Sequence, residues 1–122
     1  MELRIDPASD QAILSALRSG QVREAARLMV QSHGVAVFQV CHAMTGELEL
    51  AEDLTQASFA RAFALLRGFG GEMTIRQWLE GIARRCCAEQ APDAPPGEVA
   101  SDGTLVVSES LRRRLEVLAA AM

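Results

Sequence analysis

Ala51-Glu52-Asp53-Leu54-Thr55-Gln56-Ala57-Ser58-Phe59-Ala60-Arg61-Ala62-Phe63, AEDLTQASFARAF, is the stretch whose reading decides the fold. It opens acidic, contains neither proline nor glycine, and is rich in small residues, as a helix would be. At about 100° per residue, Ala51, Leu54, Ser58, Ala62 and, just beyond, Leu65 fall on one side and are expected to face a core. Asp53, Gln56, Ala57 and Ala60 share the opposite side. A face made only for solvent usually carries more charge than that, which raises the question of what this stripe is for.

Working outward, Thr45-Gly46 stops the helix before it, and Glu47, Glu49, Glu52 and Asp53 load its start with acid. Acid there suits the helix dipole, at roughly 0.3 kcal/mol or more per group near an exposed end. Upstream, Asp6-Pro7 pairs an N-cap acid with proline at the first helical position, Ile13, Leu14 and Leu17 form an apolar stripe, and Ser19-Gly20 ends that helix. A second, longer helix is expected from about Val22 to Met44, with Val22, Ala26, Met29, Val37, Val40 and Cys41 at helical spacing. Gly34 interrupts it, marking a slight bend or a close neighbour.

Downstream, the third helix is expected to end at Arg67-Gly68, followed by Gly68-Phe69-Gly70-Gly71-Glu72, a glycine-rich loop around one aromatic. Thr74 can cap a fourth helix whose inward face is Ile75, Trp78, Leu79, Ile82 and Cys86. At Ala91 the character changes: APDAPPGEVASDG (91–103) reads as an acidic, flexible Pro/Gly linker. Thr104-Leu105-Val106-Val107 is the one strand-like run. Ser108 or Ser110 can then cap a last helix with Leu111, Leu115, Leu118 and Met122 on one side. That helix is too short to stand alone, so it folds back, pairs with a copy of itself, or belongs to something else. The expected class is therefore all-α: a bundle of about four helices over 1–90, the linker 91–103, and an amphipathic helix within 104–122.

Composition narrows the function. The chain has 122 residues, 49% hydrophobic, enough for one domain with a tail. No apolar run approaches the ~20 residues of a membrane span, and the first residues lack a signal peptide's basic-then-apolar layout, so a cytoplasmic protein is expected. All basic residues are arginine, which with the alanine abundance hints at a bacterial, GC-rich origin. The net charge is −4 and the pI about 5.1. Domains that bind nucleic acid by their own electrostatics have a pI above ~9, so DNA contact here needs a partner's help.

No catalytic set or cofactor site emerges. Cys41, Cys86, Cys87, His33 and His42 lack metal-ligand spacing, and the cysteines read as buried free thiols. His33 and His42 fall on opposite faces of a straight helix, so neither serves the other as catalytic base or orienting group. The acids from Glu47 to Asp53 read as a solvated helix start, and GFGGE follows a helix rather than a strand and lacks the lysine of a phosphate loop. An enzyme is not expected. On the fourth helix, Arg76, Glu80 and Arg84 are spaced i, i+4, i+8, with Gln77 and Arg85 beside them. This is either a nucleic-acid face or a salt ladder worth ~0.3–0.5 kcal/mol per pair.

Taken in order, Asp10 to about Ala88 resembles region two of bacterial sigma factors of the extracytoplasmic-function group. The resemblance rests on AEDLTQASFARA (Ala51–Ala62), the glycine-containing loop, and Arg76, Trp78, Leu79, Ile82, Ala83 and Arg84 as R-x-W-L-x-x-I-A-R. Arg18-Ser19-Gly20, Ser32-His33-Gly34 and Thr45-Gly46 also fit. The resemblance implies a surface that docks on the clamp helices of the RNA polymerase β′ subunit, made by Glu52, Asp53, Gln56, Ala57, Ala60 and Arg61. It also implies that Phe69 in the loop, with Arg76, Gln77, Arg84 and Arg85, contacts the promoter −10 element, where a flipped base enters a pocket and basic groups hold the strand. An anti-sigma protein is a further partner of this kind.

The departures matter as well. Relatives usually carry an acid where this chain has Ala57, an aromatic and a basic residue at Glu80 and Gly81, and asparagine at Arg85. All but Ala57 lie on the DNA-facing side. ESLRRRLEVLAAAM (109–122) resembles the opening helix of region four, the −35 reader, and the rest of that region is absent from this sequence. The alternative reading is a degenerate sigma-like interaction module, a polymerase decoy or adaptor without promoter binding. Trp78 is expected in or beside the core, and Phe69 either plugs the bundle or sits near the base pocket.

Overall fold

The computed structural model describes residues 7–69, 71, 73–90 and 107–122. Among these residues five α-helices follow one another: α1 (Pro7–Arg18), α2 (Val22–Thr45), α3 (Leu48–Leu65), α4 (Ile75–Gln90) and α5 (Glu109–Ala120). A short 3-10 turn, Leu66–Gly68, follows α3. No strand occurs among the described residues, so the chain is all-α. The linker 91–103 and residues 104–106 of the strand-like run lie outside the described residues, as does Asp6, the expected first cap.

The long helix α2 is the axis of the bundle, touching α1, α3, α4 and α5. Its buried residues, among them Ala26, Met29, Val30, Val37, Phe38 and Cys41, accordingly cover more than half of its circumference. Glycines at positive φ close the first two helices. At Gly20, φ is 79° and the Gln21 N–H reaches back to the Ala16 carbonyl at 2.8 Å. At Gly46, φ is 74° and the N–H donates to the His42 carbonyl at 2.8 Å. A β-carbon is disfavoured in this left-handed region, which is why the turn falls on glycine.

Four buried polar side chains are tolerated because each has a partner. Thr45 Oγ1, Thr55 Oγ1 and Ser58 Oγ donate to the carbonyls of Cys41, Ala51 and Leu54, at 2.9, 2.7 and 2.6 Å. The fourth, His33, has its Nε2 at 2.9 Å from Asp10 Oδ1, tying α2 to α1. The three cysteines are free and buried. Cys87 holds its proton well above the ordinary thiol range, first through its interaction with the Cys41 thiol and then through burial.

The expected inward face of α3 is right except at its end. Ala51, Leu54, Ser58 and Ala62 are buried, but Leu65 is 52% exposed. The buried face turns along the helix toward Phe59, Phe63 and Leu66, because α3 packs on α2, α4 and α5 rather than on one neighbour. Leu65 thus falls off its margin. On α4, Ile75, Leu79 and Cys86 are buried, while Trp78 and Ile82 are half-buried at the edge of the core.

The last helix folds back on the bundle. Ser108 caps it, accepting from the Leu111 N–H at 3.1 Å, and Leu111, Leu115 and Ala119 are buried against the common core. Gly34 lies beside this helix, but a β-carbon there would stand 4.0 Å from Leu115 Cδ1, an ordinary van der Waals contact, so the packing does not require glycine.

Candidate functional site

The outer stripe of α3 lies between two flanking helices. On one flank is α5, whose Arg114 reaches three α3 side chains. Its Nη1 donates to Gln56 Oε1 at 3.0 Å and to Asp53 Oδ1 at 3.3 Å, and its Nη2 donates to Glu52 Oε1 at 3.3 Å. The third guanidinium nitrogen, Nε, is buried and has no partner among the described residues. On the other flank is α4, whose Glu89 accepts from Arg61 Nη2 at 2.9 Å. Each partner's charge holds the other ionised: Arg61 is raised and Glu89 lowered from their ordinary values, in both cases first by this hydrogen bond. The pair is exposed, so it adds little to stability.

Between the flanks the stripe is open. Asp53 is 71% exposed at its side chain, Ala60 is exposed and Ala57 half-buried. The fold therefore brings Glu52, Asp53, Gln56, Ala57, Ala60 and Arg61 onto one continuous outer surface, with cationic and anionic ends already engaged within the chain.

The residues expected to meet DNA are more divided. Gln77 belongs to the start of α4, where Thr74 Oγ1 accepts from the Gln77 N–H at 3.0 Å and Gln77 Oε1 accepts from the Thr74 N–H at 3.3 Å. This reciprocal capping box satisfies two N–H groups that the helix start would leave unpaired. Arg76 Nε donates to Glu80 Oε2 at 2.9 Å, so the i, i+4 half of the ladder is formed. Arg84 and Arg85 are exposed and make no ion pair among the described residues. Phe69 lies against Trp78, ring centroids 5.0 Å apart and tilted by 50°, and both rings pack on the core. Beside Phe69, Leu17, Val22 and Leu66 line a shallow depression with Arg18 and Arg67 at its rim. Gly70 and Glu72 of the loop lie outside the described residues.

Sequence reading missed Arg114, Glu89 and the rim arginines. Arg114 carries the most weight, and one signal could have found it: three consecutive arginines beside an apolar stripe, in a chain whose acids cluster at the start of α3. Among the described residues no three potential metal ligands come together, and no helix is long and apolar enough to cross a membrane.

A family model described as sigma-70 region 2 matches residues 29–92, just over half the chain. Curated relatives include the "ECF RNA polymerase sigma factor SigG" of Mycobacterium tuberculosis, from strains CDC 1551 / Oshkosh and ATCC 25618 / H37Rv, each 45% identical over 47 residues. That alignment covers 38% of this chain and 13% of the relative, so the chain spans only a small part of the curated proteins it matches. No solved structure gives a significant match.

Proposed function

This chain belongs to the sigma-70 region 2 family, and from that premise we propose that it is a sigma-factor-like module of transcription initiation. Its α3 stripe, Glu52, Asp53, Gln56, Ala57, Ala60 and Arg61, docks on the clamp helices of the RNA polymerase β′ subunit. The observation that carries this reading is the grouping of those six residues on one outer surface inside the matched span. The stripe pairs a few polar groups with exposed alanine methyls, a mixture that suits packing against another helix better than hydration. The domain division, with 1–90 as the docking body and 104–122 as an appended helix, is part of the same proposal.

Once docked, the Phe69 loop and the α4 residues Arg76, Gln77, Arg84 and Arg85 contribute to recognition of the −10 strand. The net charge of −4 leaves most of the affinity to polymerase. A second reading, the decoy or adaptor, draws support from the Arg76–Glu80 pair and from the use of Gln77 as a cap, which occupy two of the four polar groups before any DNA arrives.

The test is calorimetric binding of the full chain to core RNA polymerase. Tight binding is expected for the native chain. Asp53→Ala with Gln56→Ala is expected to weaken it about tenfold or more while the circular-dichroism melt stays cooperative. Unchanged affinity in the double variant rules out this surface, and binding to polymerase without any effect on −10 strand capture selects the decoy reading.

A further inference from the structure

We propose that α5 is an intramolecular latch over the α3 stripe, held by Arg114, and that polymerase competes with it for Glu52, Asp53 and Gln56. This rests on the clamp-docking reading above. The three side chains that Arg114 binds are the polar members of the stripe at its N-terminal end. While the guanidinium donates to all three, it occupies the place from which a β′ donor on the α5 side would reach them.

The polar hold of the latch is its weak point. A helix of 12 residues has little stability of its own, so α5 is helical because it is docked. Its apolar anchor is Leu111, Leu115 and Ala119 in the common core, with Val107, Leu118 and Met122 packed beside them. The polar side of the dock is concentrated in one residue, apart from a 3.5 Å contact from Arg23 to the Met122 carbonyl. Arg114 is itself imperfectly satisfied, with both Nη groups paired and a buried Nε unpartnered. An orphaned buried donor costs free energy that release into water would return. A competing partner that supplies apolar contact along Ala57 and Ala60 and takes over the three acceptors can therefore displace it. Apparent affinity for polymerase is then the intrinsic affinity reduced by the fraction of chains whose latch is open.

The experiment measures two quantities on full-length chains: hydrogen exchange of amides 109–120, and affinity for core RNA polymerase. Arg114→Glu sets an acid against Glu52 and Asp53, whereas Arg114→Met keeps much of the aliphatic stem and removes the charge with its three hydrogen bonds. Both are expected to speed exchange in α5 while α2 and α3 stay protected, and to tighten polymerase binding, severalfold for Arg114→Met and about tenfold for Arg114→Glu. In the native chain, adding polymerase is expected to deprotect α5. Faster exchange with unchanged polymerase affinity overturns the latch and leaves the clamp surface standing. Unchanged exchange in both variants overturns Arg114 as the holding residue. Failure of the native chain and both variants to bind polymerase overturns the clamp reading and the latch with it.

Discussion

Arg114 Nη1 lies 3.0 Å from Gln56 Oε1, joining two residues 58 positions apart in the chain. The same guanidinium reaches Glu52 and Asp53, so one side chain of the last helix collects the polar atoms at the head of α3. Substitutions on the two sides of this contact should act oppositely on polymerase. Loss of Asp53 and Gln56 removes both the latch and the surface it covers, whereas loss of Arg114 removes the latch alone.

The stability of the fold should depend on α5 chiefly through its leucines. Leu115→Ala empties a fully buried site beside Gly34 and is expected to cost about 2–5 kcal/mol. Arg114→Met, which loses hydrogen bonds at a partly exposed position, is expected to cost about 1 kcal/mol or less. Urea denaturation of the two variants checks the ranking, and a larger loss for Arg114→Met would contradict it.

On α4, Glu80 holds Arg76 at 2.9 Å. Glu80→Gln removes the charge that competes with a phosphate for this arginine. In the polymerase complex it is expected to strengthen capture of a −10 single strand severalfold and to steepen the salt dependence. Arg84→Ala with Arg85→Ala should do the reverse. Fluorescence anisotropy of a labelled strand across a salt series measures both, and indifference to all three changes would make this face a surface salt ladder only.

Gly81 sits in the interior of α4, exposed, with ordinary helical φ and no atom within 4 Å of where a β-carbon would stand. Nothing in the packing requires glycine there. Gly81→Ala should therefore raise stability by about 0.5–1 kcal/mol through helix propensity alone. A melt that shows a loss instead would mean that Gly81 faces a neighbour beyond the described residues.

The buried thiol of Cys87 sets a pH dependence. Its pKa is raised in the folded chain, by Cys41 and then by burial, while the same pairing lowers that of Cys41 and works the other way; at Cys87, between the unfolded and folded values, the unfolded chain has lost a proton that the folded chain keeps. The unfolded state then binds fewer protons, and stability falls as pH rises. The contribution is intact below about pH 8.5 and declines above it. Denaturation midpoints of the native chain and Cys87→Ala, measured from about pH 7.5 to about pH 10, should show a shallower alkaline decline in the variant.

Local pattern determined a good deal here. The 3.6-residue period of apolar positions, the glycines after Ser19 and Thr45, and the Thr74 cap each act within a turn or two of chain, and they place the bundle's helices to within a residue or two. The inner and outer faces of α3 follow from the same arithmetic. That arithmetic places Leu65 inward, however, because it assumes one straight seam, and α3 has three neighbours. The tertiary structure decided what the outer face touches. Periodicity says which side of a helix is polar, not which distant side chain meets it. Closing a loop of this length costs entropy that only slowly depends on its length. The destination of α5 was therefore settled by the burial of Leu111, Leu115 and Ala119 in the common core and by Arg114 among three acceptors, contacts that exist only once the chain has folded.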